Sequence, residues 1–394
     1  MERFIYLDHS ATTPVRDEVS DLMQYFLQAR YGNPSSLHRF GRYAREGVEK
    51  ARGQVADAIG AFSEEIYFTS GGTEADNLAL LGFARANASR GRHIIMSPIE
   101  HHAVMDSGHQ LEKEGFQVEY LRVDEEGLVD LDALSRMIRK DTILISVMHA
   151  NNEIGTVQPI EKIGSLARER GARFHTDAVQ SLGKIPINVR GMWIDMLSAS
   201  AHKLYGPKGV GCLYVRAGIE IEPLLHGGSQ EAKLRPGTEN VAGIVGFGLA
   251  VEMAVSEMDE TGRRLNEMRD HLWNGIRERI DGARINGSLK HRVPGHLSVS
   301  FAEVNDASIL TGMDEVGIFA SAGAACASEE AEPSHVLTAI GLTPQEARAT
   351  VRMTIGKDNS WDEIGYVLDH LPEIVKQTRE RTMECSGPAT CAGR

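Results

Sequence analysis

The sequence predicts an α/β protein, with a large domain on a mainly parallel mixed sheet and a smaller α+β domain. Three observations predict it. Short apolar runs alternate with stretches of helical period from about residue 15 to 257, and such alternation implies buried parallel strands. Two later runs, 297–301 and 351–355, alternate at period two instead, as strands of a second sheet do. The chain has 394 residues, more than the ~100–200 of a typical domain.

Along the chain, 45–59 has the apolar spacing of an amphipathic helix, 65–69 is a short strand, and 73–86 returns to helical spacing. Strands are expected at 93–97, 117–122, 143–148, 173–176, 196–198 and 211–215, with helices between them at 104–114, 131–138 and 160–169. The run 241–258 predicts a helix, and the charged stretch 259–279 predicts a long solvated one. The segment 385–394, rich in Gly, Ala, Ser and Pro, predicts a mobile tail. No internal repeat is present.

Composition excludes several classes. Hydrophobic residues at 42% and charged residues at 25% argue against disorder or a fibre. The 40 glycines are about one residue in ten against a ~7% background. Without a G-X-Y period they belong in turns or beside a ligand. A net charge of −13 makes a polyanion such as nucleic acid an unfavourable main partner. Four cysteines, Cys212, Cys326, Cys385 and Cys391, are too few for a disulfide scaffold and suit a reducing compartment. The N-terminus has no basic region or cleavage site of a signal peptide. The longest uncharged apolar run, 241–251, falls well short of the roughly 20 residues of a membrane span. A soluble cytoplasmic protein is expected.

Four stretches carry residues suited to chemistry. Ser70-Gly71-Gly72-Thr73 is a Gly-containing turn between a strand and a helix. Its free N–H groups and helix dipole could cradle a phosphate, and a plain helix start capped by Ser70 or Thr73 fits as well. In Phe174-His175-Thr176-Asp177-Ala178-Val179-Gln180 an aspartate closes an apolar strand. Ligands collect at the carboxyl ends of parallel strands, where Asp177 could pair with a protonated heteroaromatic nitrogen or simply cap a helix. Ser200-Ala201-His202-Lys203 precedes a Gly/Pro turn, and a lysine in a partly desolvated cleft there could form a Schiff base. Cys326 lies among small residues, in a stretch expected to be an exposed flexible loop where a thiolate can reach a partner. Cys212, on a strand pattern, fits a buried role. Cys385 and Cys391 lack the further ligands of a zinc set. Glu100-His101-His102 lacks HExxH spacing, so a metal is not expected there, though an imidazole could stack on a cofactor ring.

Together these motifs resemble the cysteine desulfurases of the NifS/IscS type, in the class-V aminotransferase group. The resemblance rests on Tyr6-Leu7-Asp8-His9-Ser10-Ala11-Thr12-Thr13, Gly32-Asn33-Pro34-Ser35-Ser36-Leu37-His38, the stretch 69–77, Asn151-Asn152-Glu153-Ile154-Gly155-Thr156, the stretches 175–180 and 202–209, Arg235-Pro236-Gly237-Thr238-Glu239-Asn240, and Cys326 followed by Glu332-Pro333-Ser334-His335-Val336. It implies the fold type I of pyridoxal-phosphate-dependent transferases. A cofactor-binding domain would span 14–260, a small domain would combine 1–13 with 261–384, and 385–394 would be a flexible tail. It also implies a homodimer that takes sulfur from L-cysteine, leaves alanine, and holds a persulfide on Cys326 for an acceptor such as an iron–sulfur scaffold or for other thiolation.

Carried over residue by residue, Lys203 would be the Schiff-base lysine and general base, and His101 would stack on the pyridine ring. Asp177 would pair with the ring nitrogen and Gln180 with the phenolic oxygen. Gly72, Thr73, Ser200 and His202 would hold the phosphate, with Thr238 reaching in from the other subunit. Asn152 would face cofactor and substrate, Arg352 would bind the substrate carboxylate, and Asn33 would contribute nearby. No resident metal is implied, although Cys326 could transiently ligate iron. Two departures stand out: Ala322-Gly323-Ala324-Ala325 precedes Cys326 where relatives have Ser-Gly-Ser-Ala, and Ile355-Gly356-Lys357 replaces Leu-Gly-Arg. The tail has no match to the segment that docks a scaffold in relatives. Alternatives are a selenocysteine lyase or related Cβ-lyase, distinguished by its reliance on Cys326, and a non-catalytic scaffold that keeps pyridoxal phosphate. Intact Lys203 and Cys326 argue against the scaffold.

Overall fold

Seven strands build one large sheet in the computed structural model, which describes residues 3–304, 308–322 and 333–385. In chain order the strands are β1 (Ile5–Tyr6), β2 (Ile66–Thr69), β3 (His93–Met96), β4 (Gln117–Tyr120), β5 (Thr142–Ser146), β6 (Arg173–Asp177), β7 (Met196–Ser200), β8 (Gly211–Val215), β9 (Ala283–Ile285), β10 (His296–Phe301), β11 (Ile318–Phe319), β12 (Ser321–Ala322) and β13 (Thr350–Thr354). The large sheet has the order β2-β8-β7-β6-β5-β3-β4. Only β8 runs antiparallel to its neighbours. All seven strands expected from apolar runs are therefore present, in a mixed and mostly parallel sheet. Strands β5, β7 and β8 are buried along their whole length, and β6 at every residue but Arg173, as strands between helical layers should be.

Helices cover the sheet on both faces. Arg39–Ile59 packs on Val241–Ser256, placing Val55, Ile59, Phe247 and Val251 in one core with Phe174 and Leu197. Ala79, Phe83, Val104 and Leu111 form a second layer with Ile94 and Leu213. The expected helix at 73–86 is a continuous helical run with a π turn at Leu78–Gly82.

A four-stranded antiparallel sheet, β12-β13-β10-β9, has a separate core that includes Ile5, Leu7, Leu297, Val299, Val351 and Met353. The N-terminal strand joins this region: β1 pairs in parallel with β11, and Thr354 N–H donates to the Leu7 carbonyl at 2.6 Å. The stretch 259–279 corrects its sequence reading. The helix Met258–Arg279 carries a buried stripe of Leu265, Met268, Leu272, Trp273 and Ile276 against this core. Apolar residues three and four apart are enough to bury one face, even where the rest of the helix is charged. No single helix among the described residues is long and apolar enough to cross a membrane. The helix Trp361–Cys385 reaches the first residue of the expected tail, and the tail beyond it, with Cys391, lies outside the described residues.

A buried stripe predicts unequal responses along one helix. Leu272→Ala should cost about 2–5 kcal/mol in urea unfolding, whereas the exposed Glu267→Ala should change stability by less than about 0.5 kcal/mol. Equal, small losses from both would return this helix to solvent.

Candidate active site

Parallel strands deliver their carboxyl ends to one edge of the sheet, and the site forms there. Asp177 ends β6, Ser200 ends β7, the turn at Gly71-Gly72 follows β2, and Met148 and Asn152 follow β5. Gly72, Thr73, His101, Asn152, Asp177, Gln180, Ser200, His202, Lys203 and Arg352 line one cleft, with Ser10, Ala11, Asp76, Met148 and Val179. The residues read from separate motifs thus meet at one place. Thr238 and Asn33 do not line it. Both are exposed, and Asn33 Oδ1 accepts from Ser35 N–H at 2.9 Å, closing its own turn. Cys326 lies outside the described residues.

Lys203 occupies a short 3₁₀ turn, Ala201–Lys203, directly after β7. Its Nζ donates to the carbonyls of Ser10 and Ala11 at 2.6 and 2.5 Å. Burial, then the Arg352 charge, pulls the amine down to about 8, with Asp177 and Asp8 opposing. An amine with that value is a free base much more often than a surface lysine. Tyr205 follows with φ of 65°, a left-handed conformation unusual for a bulky residue. Its N–H donates to Thr13 Oγ1 at 2.8 Å and its hydroxyl accepts from Lys357 N–H at 2.7 Å, which hold the strained turn in place.

Asp177 Oδ1 accepts from Val179 N–H at 2.8 Å. Burial pushes this carboxyl above the usual range, with Lys203 pulling the other way. Asp76 lines the same cleft, fully buried, and burial together with the Asp177 charge pushes its carboxyl well above the usual range. One Asp76 oxygen has no hydrogen-bond partner, and His175 Nε2 stands 3.6 Å from it. A cation brought to Asp177 would relieve this crowding of negative charge. His101 caps the helix His102–Lys113, its Nδ1 accepting from Ala103 N–H at 3.1 Å. The neutral ring therefore carries its proton on Nε2.

The other end of the cleft is suited to an anion. A Cβ on Gly72 would lie 2.7 Å from Val179 Cγ2, so only glycine leaves the turn this close to the floor. Thr73, Ser200 and His202 stand around it, and His202 Nδ1 meets Thr12 Oγ1 at 3.1 Å. Burial, then Lys203, Lys208 and Lys184, keeps His202 neutral, down at about 4. At the rim of the same cleft, Arg352 Nη2 pairs with Asp8 Oδ1 at 2.8 Å and Nη1 donates to the Asn152 carbonyl at 3.2 Å. Its Nε is buried without a partner. Gly155, at φ 74°, turns the Asn152 loop where any Cβ would strike the His296 ring at 2.7 Å. The acid at one end, the hydroxyls and backbone turn at the other, and an amine between them fit pyridoxal phosphate.

Sequence reading missed three parts of this arrangement. Asp8, quoted only as part of a motif, is the ion partner of Arg352 and accepts from Ser321 Oγ at 2.7 Å. The carbonyls that receive Lys203 have no side-chain signature at all. Lys184 donates from Nζ to Gln180 Oε1 at 3.1 Å, and its position one helical turn from Gln180 was the available signal. Cys212 is buried on β8, its thiol pushed up to about 12, as its strand pattern indicated.

Comparison with known proteins agrees with this site. The aminotransferase class-V family model matches residues 5–367. A protein named cysteine desulfurase IscS from Dictyoglomus turgidum is 51% identical over 379 residues, covering 96% of each chain. One of the same name from Methanosarcina thermophila is 48% identical, covering 95% of this chain and 93% of its own. Among solved structures, a NifS-like protein superposes with a TM-score of 0.90 at 39% identity, covering 95% of this chain and all of that one. A structure titled SspA in complex with cysteine gives 0.80 at 40% identity, covering 89% and 98%. With one family model over nearly the whole chain and such relatives along its length, the chain belongs to the class-V aminotransferases, among the cysteine desulfurases of the NifS/IscS type.

Proposed function

We propose that the cleft residues divide between them the desulfuration of L-cysteine by a pyridoxal-phosphate-dependent enzyme. The observation that carries this is Lys203, a desolvated amine in the same cleft as the strand-end Asp177 and the guanidinium of Arg352. When bound, the cofactor supplies an electron sink for the bonds at Cα and Cβ of an amino acid. Asp177 would hold a proton on the ring nitrogen by charge, His101 would stack on the ring, and Gln180 would donate to the phenolic oxygen. Gly72, Thr73, Ser200 and His202 would hold the phosphate. Lys203 would hold the cofactor through its amine, and that amine would take and return a proton at the substrate. Arg352 receives the α-carboxylate, and Asn152 orients the substrate beside it.

Cys326 is the nucleophile in this reading. Its thiolate attacks the substrate sulfur, an S–S bond forms, the Cβ–S bond breaks, and the electron pair goes to carbon. Protonation there gives alanine, and the persulfide on Cys326 passes its outer sulfur to an acceptor thiol or an iron–sulfur scaffold. Thr238, exposed and away from the cleft of its own chain, suits a phosphate contact in a partner subunit, and Asn33 a place near that interface. The separate cores support a cofactor-binding unit over 14–260 and a smaller unit from 1–13 and 261–384. A cytoplasmic location fits the cysteine usage.

Incubation with L-cysteine and excess dithiothreitol, which reduces the persulfide to free sulfide, followed by measurement of alanine and sulfide, tests the assignment. Native chain and Cys212→Ala should release both, and Cys326→Ala should fall to background. Full sulfide release by Cys326→Ala would remove it as nucleophile. A second outcome follows from Lys203. The rate at which the cofactor-free chain takes up pyridoxal phosphate, followed by absorbance, should rise with pH as the amine loses its proton. The midpoint should fall near about 8 and not near the ordinary 10.5. A midpoint at the ordinary value would show that the cleft does not desolvate this amine.

A further inference from the structure

Adjoining the cleft, on the far side of Gln180, lies a second and small pocket, walled by apolar residues such as Leu204, Ala254, Met258, Leu265 and Ile355. Ser10, Gln180 and Lys203 line both spaces, and Lys184 lines only the second one. The Gln180 side chain is therefore part of the partition. Its Oε1 accepts from Lys184 Nζ at 3.1 Å, and its Nε2 donates to the Ser10 carbonyl at 2.9 Å. Lys203 Nζ reaches that same carbonyl at 2.6 Å.

Lys184 is placed at a cost. It is only partly exposed, and burial together with Lys203 pulls its amine down to about 7. Among the described residues it has no ion-pair partner, and Gln180 Oε1 is its acceptor. An amide can sit in two flips of nearly equal shape, and only its neighbours choose between them. With Oε1 on Lys184, the two N–H bonds of Nε2 are left for the Ser10 carbonyl and the cleft. The opposite flip would set a carbonyl against the Ser10 carbonyl at any pH, and N–H donors against the Lys184 ammonium wherever that amine is protonated.

We propose that Lys184 is a positioning residue: it fixes the flip of Gln180 from the far side, so that an N–H donor faces the phenolic oxygen of bound pyridoxal phosphate. This rests on the cofactor reading of the cleft and adds a residue that touches neither cofactor nor substrate. A donor at the phenolic oxygen favours its anionic form and lowers the pH at which the cofactor's visible absorbance band titrates. Positive charge nearby acts in the same direction. Lys203, His9, His202 and His296 share the electrostatic field of Lys184. Arg16, Glu257 and Lys357 line the second pocket. The experiment must therefore separate charge from orientation.

Spectrophotometric pH titration of the cofactor-loaded chain does so. Lys184→Met should raise the midpoint by on the order of one pH unit, the size of a lost charge-assisted hydrogen bond. In a Gln180→Leu background the same substitution should leave the midpoint where that background sets it. Lys184→Gln, which keeps a donor without the charge, should stay near the native midpoint. Equal shifts from Lys184→Met with and without Gln180, or a Lys184→Gln shift as large as that of Lys184→Met, would assign the effect to charge and overturn the proposal. No shift in Lys184→Met would overturn it as well. A native chain that acquires no visible band with pyridoxal phosphate would instead defeat the cofactor reading of the cleft.

Discussion

The contact of Lys203 with the Ser10 and Ala11 carbonyls joins the parts of this molecule that do chemistry. An amine drawn out of water needs acceptors, and here the acceptors come from an irregular N-terminal segment, not from the sheet that carries the lysine. That segment has no regular structure to hold it. It is fixed at Thr354, whose Oγ1 accepts from Ser10 N–H at 2.9 Å and whose N–H donates to Leu7. Residues more than 300 apart in sequence thus set the place of one amine. The entropy of closing so long a loop grows only slowly with its length, so the second core formed by Ile5, Leu7, Val351 and Met353 can sustain the connection. Displacing β13 would move the acceptors of Lys203 and the guanidinium of Arg352 together.

Charge in the cleft is arranged in complementary ends. Asp177 and Asp76 crowd negative charge at the floor, where burial opposes it. His202 and His101 are kept neutral by desolvation and by the lysine beside them. A ring that brings a protonated nitrogen to the acid end and a phosphate to the hydroxyl end improves both at once. Binding energy of this kind is available because the protein has already desolvated the groups that receive the ligand. The fit of the cofactor follows from this pairing more than from any single hydrogen bond.

Much of this was legible in the sequence, for physical reasons that also mark where legibility stops. Strands sandwiched between two helical layers are buried on both faces and rich in apolar residues, so β5 to β8 announced themselves as runs. Asp177 and Lys203 were legible because a charged residue at or just beyond the end of an apolar strand is unusual and strand ends collect ligands. The helix Met258–Arg279 was misread because its charge hid a stripe recurring every three or four residues. Ser10 and Ala11 act through carbonyls, which every residue has. Asp8 and Lys184 owe their importance to what surrounds them, and that is decided by tertiary contacts no local window contains. Cys326 shows the reverse case. Its identity comes from sequence and its proposed chemistry from the reaction, while its placement lies outside the described residues.

In its proposed role as the carboxylate receiver, Arg352 would connect substrate recognition to the state of Lys203. Asp8 and the Asn152 carbonyl occupy the two Nη atoms, and Nε is buried without a partner. A guanidinium has five N–H donors, so a substrate carboxylate can be received without breaking the Asp8 pair. The same guanidinium is, after burial, the main influence that depresses Lys203. A carboxylate bound to Arg352 offsets its positive charge, and the amine regains affinity for a proton. By the roles proposed above, Lys203 is thus most nearly a free nucleophile before substrate enters and a stronger base once substrate is bound. The order suits an amine that must first hold the cofactor and then take a proton, and it arises from one cation shared between substrate and lysine.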